Sequence, residues 1–281
     1  MTETRDAPDL ADLLRRRYGP DAPGVDTEVL PGRPVLQTLL AHKSVRAYTP
    51  GPLPPGTLEM LAAAAQSAAS SSNLQTWSVV ALEDPARKTE AARLCGDQDF
   101  IRQASLFLVF CADLARLTAA SARQGLPGMG LTYLEMFITS VVDASLAAQN
   151  AAAAEGLGLG ICYVGAARNH PRELARLLGL PPRVFALFGL SVGHPAPGDT
   201  STVKPRPPQP GLLHREVYDA QTRDEAVAAY DETMARFYAE QKMSARGPWS
   251  RHSAERVADA KSLSGRDVLR EILQEFGFEM K

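Results

Sequence analysis

Residues 132–164, TYLEMFITSVVDASLAAQNAAAAEGLGLGICYV, join the longest helical pattern of the chain to a short strand pattern. Apolar residues recur at helical spacing from Thr132 to Glu155, where Ala and Ser are abundant, and Gly156 ends the pattern. Gly160 to Val164 predicts a strand. Because small side chains allow another helix to approach closely, we expect this helix to be buried, either in the core or in a dimer interface.

The glycine run Gly156-Leu157-Gly158-Leu159-Gly160 superficially matches the glycine loop of dinucleotide-binding proteins. That loop requires a strand before it and a helix after it. Here a long helix precedes the glycines and a strand pattern follows them. The run is therefore predicted to be a helix C-cap and a turn, which excludes a dinucleotide-binding glycine loop at this position.

The remaining strand patterns lie at Trp77–Leu82, Leu106–Cys111 and Val184–Val192, and helical patterns separate them. Few strands and a large helical share predict an α+β fold. A Pro- and Gly-rich stretch, Gly19–Pro34, reads as a linker or arm after a first short helix. Further helices are predicted at 35–41, 57–67, 85–95, 172–178, 224–243, 252–260 and 266–276.

Composition and charge narrow the classes of function. The chain of 281 residues has 45% hydrophobic and 22% charged residues, as globular proteins do, and a formal net charge of −2. No global basic excess points to nucleic acid or to an anionic membrane. No run of 18 apolar residues and no N-terminal apolar segment is present, so we expect a cytoplasmic protein with no membrane partner.

The reactive residue types show none of the common catalytic or metal-binding spacings. Three widely spaced cysteines, Cys95, Cys111 and Cys162, are expected to be buried free thiols. The five histidines have no metal-ligand spacing, so no metal site is predicted. No G-x-S-x-G motif is present, which argues against a serine hydrolase.

Two short cationic segments suit a phosphate group. The first is His42-Lys43-Ser44-Val45-Arg46 at a predicted helix end, and the second is Lys204-Pro205-Arg206 in a proline-rich loop. Lys and Arg supply charge, and Ser and backbone N–H groups supply donors. Each segment alone is equally compatible with a solvated surface. Together, in a chain without basic excess, they suggest one anion held from two parts of the sequence.

A polar segment, Ser70-Ser71-Ser72-Asn73-Leu74-Gln75, follows an apolar helix. Its hydroxyls and amides suit a loop that lines a polar, ring-shaped ligand, although a polar linker has the same composition. Gln98 and the turn Tyr163-Val164-Gly165-Ala166 are candidates for the same role. Asp143, inside the long helix, is expected to be a hydrogen-bonded structural residue.

Taken in order, these segments resemble the flavin-dependent nitroreductase superfamily, and within it the oxygen-insensitive NADPH nitroreductases and NADPH–flavin oxidoreductases. The resemblance runs from His42 to Phe278, and residues 1 to about 31 fall outside it. The matching stretches are HKSVR at 42–46, SSSNLQ at 70–75, Gln98, VFCAD at 109–113, VD at 142–143, AQN at 148–150, EGLGLG at 155–160, YVG at 163–165, RN at 168–169, LFGL at 187–190, KPR at 204–206, YDE at 230–232 and WS at 249–250.

The resemblance implies an intertwined homodimer with an α+β, nitroreductase-like fold, in which helices flank a central, mostly antiparallel sheet. It implies an N-terminal extension over 1–31 and an FMN-binding domain over 32–281 that includes a C-terminal helical excursion. If the roles of the family's residues are transferred to the matching positions, the FMN phosphate would be held by His42, Lys43, Ser44, Lys204 and Arg206. Arg46 would face the pyrimidine edge of the flavin. The ring or ribityl chain would be lined by Ser70, Ser71, Ser72, Gln75 and Gln98, some from the partner subunit, and by Tyr163, Val164, Gly165 and Ala166.

The implied activity is an FMN-dependent NAD(P)H oxidoreductase that reduces nitroaromatics, quinones or flavins by ping-pong hydride transfer. Flavin N5 would do the chemistry with no side-chain acid or base, and Arg46 would supply electrostatic support. Two alternatives are an NADPH–FMN reductase that supplies free reduced flavin to a partner enzyme, and a non-catalytic flavin-binding sensor. This sequence departs from the family pattern at two positions. Lys43 stands where the family usually has arginine, and Ala166 stands where this subgroup commonly has glycine.

The resemblance also places Arg266 at the position of an arginine that reads the 2′-phosphate of NADPH, which predicts a preference for NADPH over NADH. This alignment requires two extra residues after Lys261. Without them, Ser262 would occupy the position. Lys261, Arg246 and Arg251 lie nearby in sequence and are alternatives for the same contact.

Overall fold

The computed structural model of the protein describes residues 9–23, 34–244 and 247–281. The chain divides into two compact units. The helical unit comprises Met1–Lys43 and Thr202–Leu263, and the sheet unit comprises Ser44–Ser201 and Ser264–Lys281. The predicted boundary between residues 31 and 32 lies outside the described residues. The predicted linker 19–34 also lies largely outside them.

Helices separate the successive strands along the described chain. The helices are α1 (Leu10–Tyr18), α2 (Pro34–Ala41), α3 (Thr57–Gln66), α4 (Pro85–Leu94), α5 (Asp99–Gln103), α6 (Ala115–Arg123), α7 (Leu134–Ala151), α8 (Pro171–Leu178), α9 (Ala220–Glu240), α10 (Trp249–Arg256) and α11 (Leu269–Glu275). The strands are β1 (Tyr48–Thr49), β2 (Trp77–Leu82), β3 (Leu106–Asp113), β4 (Gly160–Val164) and β5 (Val184–Pro195).

One five-stranded sheet forms the centre of the sheet unit. Its strand order is β1-β5-β3-β2, and β4 also pairs with β5. All these pairings are antiparallel. Every residue of β3 is buried, because its continuous apolar run faces packed layers on both sides. The predicted α+β class with a mostly antiparallel sheet is confirmed.

The long helix α7 shows why small residues are abundant in this sequence. Ala144, Ala147, Ala148 and Ala151 are at most 1% exposed, and the helix packs against α3 and the sheet of the same chain. The amide of Asn150 donates to the carbonyl of Ala64 on the preceding segment α3 at 3.1 Å. The small face of α7 is therefore packed in the core of its own chain, which is the first of the two predicted alternatives.

Large apolar residues occupy the opposite face of α7. Leu134, Ile138, Val142 and Leu146 recur every four residues and are 42–49% exposed. At 100° per residue they centre about 150° away from the buried alanines. We call these four residues the apolar stripe. Helix α7 therefore has two apolar faces. The alanine face is packed inside its own chain, and the apolar stripe is not.

The end of α7 confirms the predicted turn. A short 3₁₀ segment, Ala152–Leu157, replaces the last part of the predicted helix, and Gly158 adopts a left-handed conformation with φ of 75°. Glycine adopts this conformation without a steric penalty. The chain then enters β4, so the glycine run is a helix end and turn before a strand.

In the helical unit, helices pack through a few defined contacts. The rings of Tyr230 on α9 and Trp249 on α10 meet edge to face at 5.1 Å. The carboxylate of Asp231 accepts hydrogen bonds from the backbone N–H and hydroxyl of Ser250 at 2.7 and 2.5 Å. On α1, the buried residues are Leu10, Leu13 and Arg17.

Three elements of the structure are not predicted by the sequence pattern. Strand β1 has only two residues and forms by pairing with the end of β5. Helix α5 has five residues, and α6 buries none of its residues. Elements as short as β1 and α5 cannot show an apolar periodicity.

The cysteines Cys95, Cys111 and Cys162 are free and buried, as predicted. Burial raises the pKa of the Cys95 and Cys111 thiols to about 12. Across the described ranges, no helix combines the length and apolarity needed to cross a membrane. Within those same ranges, no group of three His, Cys, Asp or Glu side chains is placed to hold a metal ion.

Candidate functional site

One buried arginine joins the parts of the two cationic segments that lie in the helical unit, His42–Lys43 and Lys204–Arg206. The guanidinium of Arg17 donates to the carbonyl oxygens of Leu40 and His42 at 2.8 and 3.1 Å. It also donates to the carbonyl of Lys204 at 3.1 Å. The backbone N–H of Arg206 in turn donates to the carbonyl of Arg17 at 2.8 Å. The predicted clamp residues His42, Lys43, Lys204 and Arg206 thus lie on segments that share a hydrogen-bonded centre.

The loop 204–206 is anchored between its two cations. Pro205 is buried, whereas Lys204 and Arg206 on either side are exposed. The hydroxyl of Tyr230 donates to the carbonyl of Pro205 at 2.9 Å. Burial raises the pKa of Tyr230, while the positive charges of Arg206 and Arg17 oppose that shift. The tyrosine therefore remains a neutral donor that fixes the loop.

In the sheet unit, Ser44 and Arg46 lie beside strand β4. Ser44 forms a parallel bridge with Ile161, and the backbone N–H of Val45 donates to the carbonyl of Ile161 at 2.8 Å. The hydroxyl of Tyr48 donates to the carbonyl of Val45 at 2.9 Å. Arg46 is exposed, and its charge partly offsets the rise that burial causes in the pKa of Cys162.

Strand β4 runs directly into the predicted turn. Tyr163 and Val164 end the strand, and Gly165 and Ala166 begin a short 3₁₀ helix that extends to Arg168. The hydroxyl oxygen of Tyr163 is buried, and burial raises the pKa of this side chain. The segment that holds Ser44 and Arg46 and the segment Tyr163–Ala166 therefore lie on consecutive stretches of one sheet edge.

Gln98 and Arg266 come close to the same turn. A Cβ built on Gly96 would lie 3.7 Å from the methyl group of Ala166 and 3.8 Å from the amide nitrogen of Gln98. The Nε and Nη2 groups of Arg266 donate to the amide oxygen of Asn169 at 3.0 and 2.8 Å. The structure thus brings Gln98, Ala166 and Arg266 to one turn.

Two arginines face each other at this turn. Arg168 donates to the carbonyl of Leu187. Burial lowers the pKa of Arg168, and the nearby charge of Arg266 lowers it further. Of the alternatives to Arg266, Arg251 pairs with Glu255 at 3.0 Å, and Arg246 lies outside the described residues. Two positive groups so placed favour an anion at this position.

Asp143 organises the polar loop 70–76. Its carboxylate accepts hydrogen bonds from the Ser70 hydroxyl at 2.8 Å and the Ser71 N–H at 3.1 Å. It also accepts from the backbone N–H and hydroxyl of Thr76 at 3.1 and 2.9 Å. Burial alone would raise the pKa of Asp143, but these four hydrogen bonds outweigh it and lower the pKa. The predicted structural role of Asp143 is confirmed.

The loop itself has an unusual backbone. Ser72, Asn73 and Gln75 have φ values of 48°, 56° and 52°, in the left-handed region. Each such residue costs about 1–3 kcal/mol unless its surroundings hold it there. The Ser70 hydroxyl accepts from the Gln75 N–H at 2.9 Å, so it binds within the loop as well as to Asp143. Ser71 and Ser72 are exposed, and Gln75 is half-buried.

Arg116 holds the end of this loop, and the sequence pattern does not mark it. Its guanidinium donates to the carbonyls of Gln75 and Trp77 at 2.5 and 3.2 Å. It also donates to the hydroxyl of Ser78 at 2.9 Å. Neither Arg116 nor Arg17 belongs to a recognisable motif, because each contacts backbone carbonyls that any residue could supply.

The loop 70–76 and the turn 163–166 lie on opposite edges of the sheet. A row of aromatic rings crosses it from Trp77 on β2, through Phe110 and Phe188, to Tyr163 on β4, with centroid spacings of 6.2, 5.9 and 5.8 Å. Three strand spacings correspond to about 14 Å. Along β5, the register places Trp77 and Val164 four residues apart, or about 13 Å.

Comparison with known proteins gives two matching family models. The model described as "Nitroreductase family" matches residues 39–194, more than half of the chain. The model described as "Nitroreductase family, C-terminal domain" matches residues 204–281. Helix α1 lies outside both matched ranges.

Individual relatives agree with these matches. The FMN reductase (NADPH) of Bacillus subtilis is 36% identical over 248 residues, which are 86% of this chain and 97% of the relative. The oxygen-insensitive NADPH nitroreductase of Salmonella typhimurium is 38% identical over 222 residues, which are 78% of this chain and 89% of the relative. The solved structure of NADPH:FMN oxidoreductase from Vibrio harveyi, complexed with NAD⁺, has a TM-score of 0.78 at 31% identity and covers 89% of this chain and 100% of that one.

The predicted resemblance is confirmed by these matches, which together span both the sheet unit and the C-terminal half of the helical unit. The sequence identities extend over nearly the full length of the relatives, and the fold agrees with a solved one. This chain belongs to the nitroreductase family.

Proposed function

We propose that the protein is an FMN-dependent NAD(P)H oxidoreductase that reduces nitroaromatics, quinones or flavins. The observation that carries this proposal is the joining of His42–Lys43 and Lys204–Arg206 through the hydrogen bonds of Arg17. These residues offer an imidazole, two ammonium groups and a guanidinium, which is a donor set that fits a phosphate monoester. Relatives named as FMN reductase and NADPH nitroreductase support the assignment.

The residues of each unit have separate tasks in this proposal. In the helical unit, His42, Lys43, Lys204 and Arg206 hold the phosphate, and Ser44 follows directly in the chain. In the sheet unit, the ring and ribityl chain are lined by Ser70, Ser71, Ser72, Gln75, Gln98, Tyr163, Val164, Gly165 and Ala166. When bound, FMN would supply the hydride-transfer chemistry between the nicotinamide cofactor and the electron acceptor.

Arg46 contributes a positive charge to the proposed chemistry. It is exposed beside β4, and in this proposal it would face the pyrimidine edge of the flavin ring. A cation at this position stabilises negative charge that develops on the ring when it is reduced. Arg266 and Arg168 at the neighbouring turn favour the phosphate groups of the nicotinamide cofactor, with Arg266 reading the 2′-phosphate of NADPH.

The functional unit is a homodimer. The apolar stripe on α7 is a row of four large side chains that water would otherwise contact. The loop 70–76 and the turn 163–166 are separated across and along the sheet within one chain. We therefore infer that one flavin is lined by the turn of one protomer and the loop of its partner. The buried free thiols support a reducing, cytoplasmic location.

The decisive experiment is the anaerobic reductive half-reaction. The purified protein should be yellow, and one equivalent of NADPH should bleach its flavin absorbance without oxygen. A yellow protein that neither NADPH nor NADH bleaches would instead be a flavin-binding sensor.

Steady-state assays then distinguish the two enzyme activities. Turnover of nitrofurazone by the bleached enzyme indicates a nitroreductase. Turnover of added FMN alone, with no reaction of nitrofurazone, indicates an FMN reductase. Arg46→Ala should slow the reductive half-reaction while FMN stays bound, because the charge is lost beside the ring.

A further inference from the structure

Arg17 is a buried cation in a helix that neither family model includes. It is 5% exposed, whereas its neighbours on α1, Arg15 and Arg16, are 64% and 60% exposed and pair with Asp12. Burying a guanidinium removes its hydration, so its N–H groups must find other acceptors. Backbone carbonyls of Leu40, His42 and Lys204 supply them.

The contacts of Arg17 lie where backbone carbonyls need a donor. Helix α2 ends at Ala41, so the carbonyl of Leu40 belongs to the last turn, where no intrahelical N–H is available. A cation at this end also interacts favourably with the helix dipole. The same guanidinium reaches Lys204, 187 residues further along the chain. One side chain therefore ties the end of α2 to the loop of the second cationic segment.

The backbone of Arg17 adds a fourth connection. Its carbonyl accepts from the N–H of Arg206, two residues after Lys204. Lys204 and Arg206 are thus both bonded through their backbones to the same residue, which leaves their side chains exposed. The hydroxyl of Tyr230 fixes the intervening Pro205 from the other side. The spacing of the cations is set by Arg17 and Tyr230, which are both buried.

We propose that Arg17 is a positioning residue for the cofactor phosphate, and that helix α1 is an integral part of the phosphate clamp in this protein. The inference rests on the proposed function, because it assumes that His42, Lys43, Lys204 and Arg206 bind the phosphate. Arg17 holds the two segments at the separation that lets cations from both meet one anion. Its own side chain is occupied by carbonyl groups and does not contact the phosphate.

The test compares two flavins in the full-length protein. FMN carries the phosphate, whereas riboflavin has the same ring and ribityl chain without it. The variant Arg17→Met removes the donors at similar length, and Arg16→Met is the matched control on the exposed side of the same helix. Affinities are measured on flavin-free protein by quenching of flavin fluorescence, and thermal unfolding is recorded for each variant.

We expect Arg17→Met to weaken FMN binding roughly tenfold or more, a loss of the size that removal of an outer-shell partner causes at metal sites. Riboflavin affinity should not change, and Arg16→Met should bind both flavins as the unchanged protein does. Unaltered FMN affinity in Arg17→Met would overturn the proposal. An equal loss for FMN and riboflavin would also overturn it, because it would show a general structural role.

Two further variants keep the outcome decisive. If Arg17→Met does not fold, Arg17→Lys is measured in the same way, and its affinity for FMN should fall while that for riboflavin stays constant. Lys204→Ala/Arg206→Ala tests the clamp itself. If this double variant loses FMN affinity and the Arg17 variants do not, only the inference about Arg17 fails. If the double variant binds FMN normally, the proposed phosphate site fails.

Discussion

The carboxylate of Asp143 on α7 accepts a 2.8 Å hydrogen bond from the hydroxyl of Ser70, 73 residues earlier in the chain. Through this bond and three others, a buried charge in the core holds the loop that carries the polar flavin candidates. Positive φ values at Ser72, Asn73 and Gln75 show that the loop depends on such support.

Replacing Asp143 with Asn should therefore destabilise the protein and loosen the loop. The amide offers one acceptor oxygen instead of two, and its NH₂ group would face backbone N–H donors. The expected loss is about 2–3 kcal/mol in the free energy of unfolding, as for a charged hydrogen-bond partner. Urea denaturation measures it. Asp224→Asn, at a carboxylate 70% exposed beside Arg223, is the control and should change stability little.

The lowered pKa of Asp143 predicts that the stability of the protein depends on pH. Its pKa is lower in the folded protein than in the unfolded chain, where an aspartate titrates near 3.9. Its stabilising contribution is therefore complete above the unfolded pKa and is lost as the pH falls through the folded pKa. The difference in stability between the unchanged protein and Asp143→Asn should be constant from pH 7 to 5 and shrink below about pH 4. A difference that grew on acidification would contradict the sign.

Loss of both exposed cations in the loop 204–206 should release the cofactor. Charge-assisted hydrogen bonds contribute about 1.5–3 kcal/mol each, so Lys204→Ala/Arg206→Ala should weaken FMN binding about a hundredfold or more. Titration of flavin-free protein with FMN measures this. The double variant Arg223→Ala/Arg251→Ala changes the net charge equally at two cations that pair with nearby carboxylates, and it should keep full affinity. If both double variants lost FMN affinity equally, the effect would come from the overall charge of the protein and not from contacts of Lys204 and Arg206.

A charge placed on the apolar stripe should separate the protomers. Ile138→Glu puts a carboxylate at the middle of the stripe and should lower both dimer content in light scattering and flavin content. Ile138→Leu keeps the site apolar and is the control. Ala147→Leu should act differently, because Ala147 is fully buried in its own chain, and overpacking costs about 1–3 kcal/mol of stability. A flavin-loaded monomer of Ile138→Glu would rule out the shared site.

Arg266→Ala should change the choice of nicotinamide cofactor. If Arg266 contacts the 2′-phosphate, kcat/KM for NADPH should fall roughly tenfold, about 1.4 kcal/mol, while the value for NADH stays nearly constant. Asn169→Ala should produce part of the same effect, because Asn169 holds the guanidinium through two hydrogen bonds. The exposed Arg270 on α11 provides the control Arg270→Ala. A loss shared equally by both cofactors would remove Arg266 from the site.

Elements with a strong local pattern are predictable from the sequence. Strands β2 and β4 have the predicted bounds, Trp77–Leu82 and Gly160–Val164. The central strands β3 and β5 extend a few residues beyond their apolar runs, because pairing with neighbours continues where the pattern stops. The two cationic segments were also recognisable, since charge density is a property of neighbouring residues.

Which face of α7 lies inside depends on how the helix packs in the folded chain. Both the small alanine face and the apolar stripe look buried in sequence, because hydrophobic periodicity reports burial without naming the partner. Only the packing of α7 against α3 and the sheet shows that the alanines are core and the stripe is not. A one-dimensional pattern cannot distinguish these faces, since they differ only in what lies opposite them.

The tertiary structure also assigned the residues that position the site without belonging to it. Arg17 and Arg116 bond to backbone carbonyls far away in sequence, and Asp143 bonds to a loop about seventy residues before it. A carbonyl has the same chemistry in every residue, so no sequence motif marks the acceptor of such a bond. Local chemistry therefore identified the groups suited to a phosphate and a flavin, and chain folding determined which buried charges hold them in place.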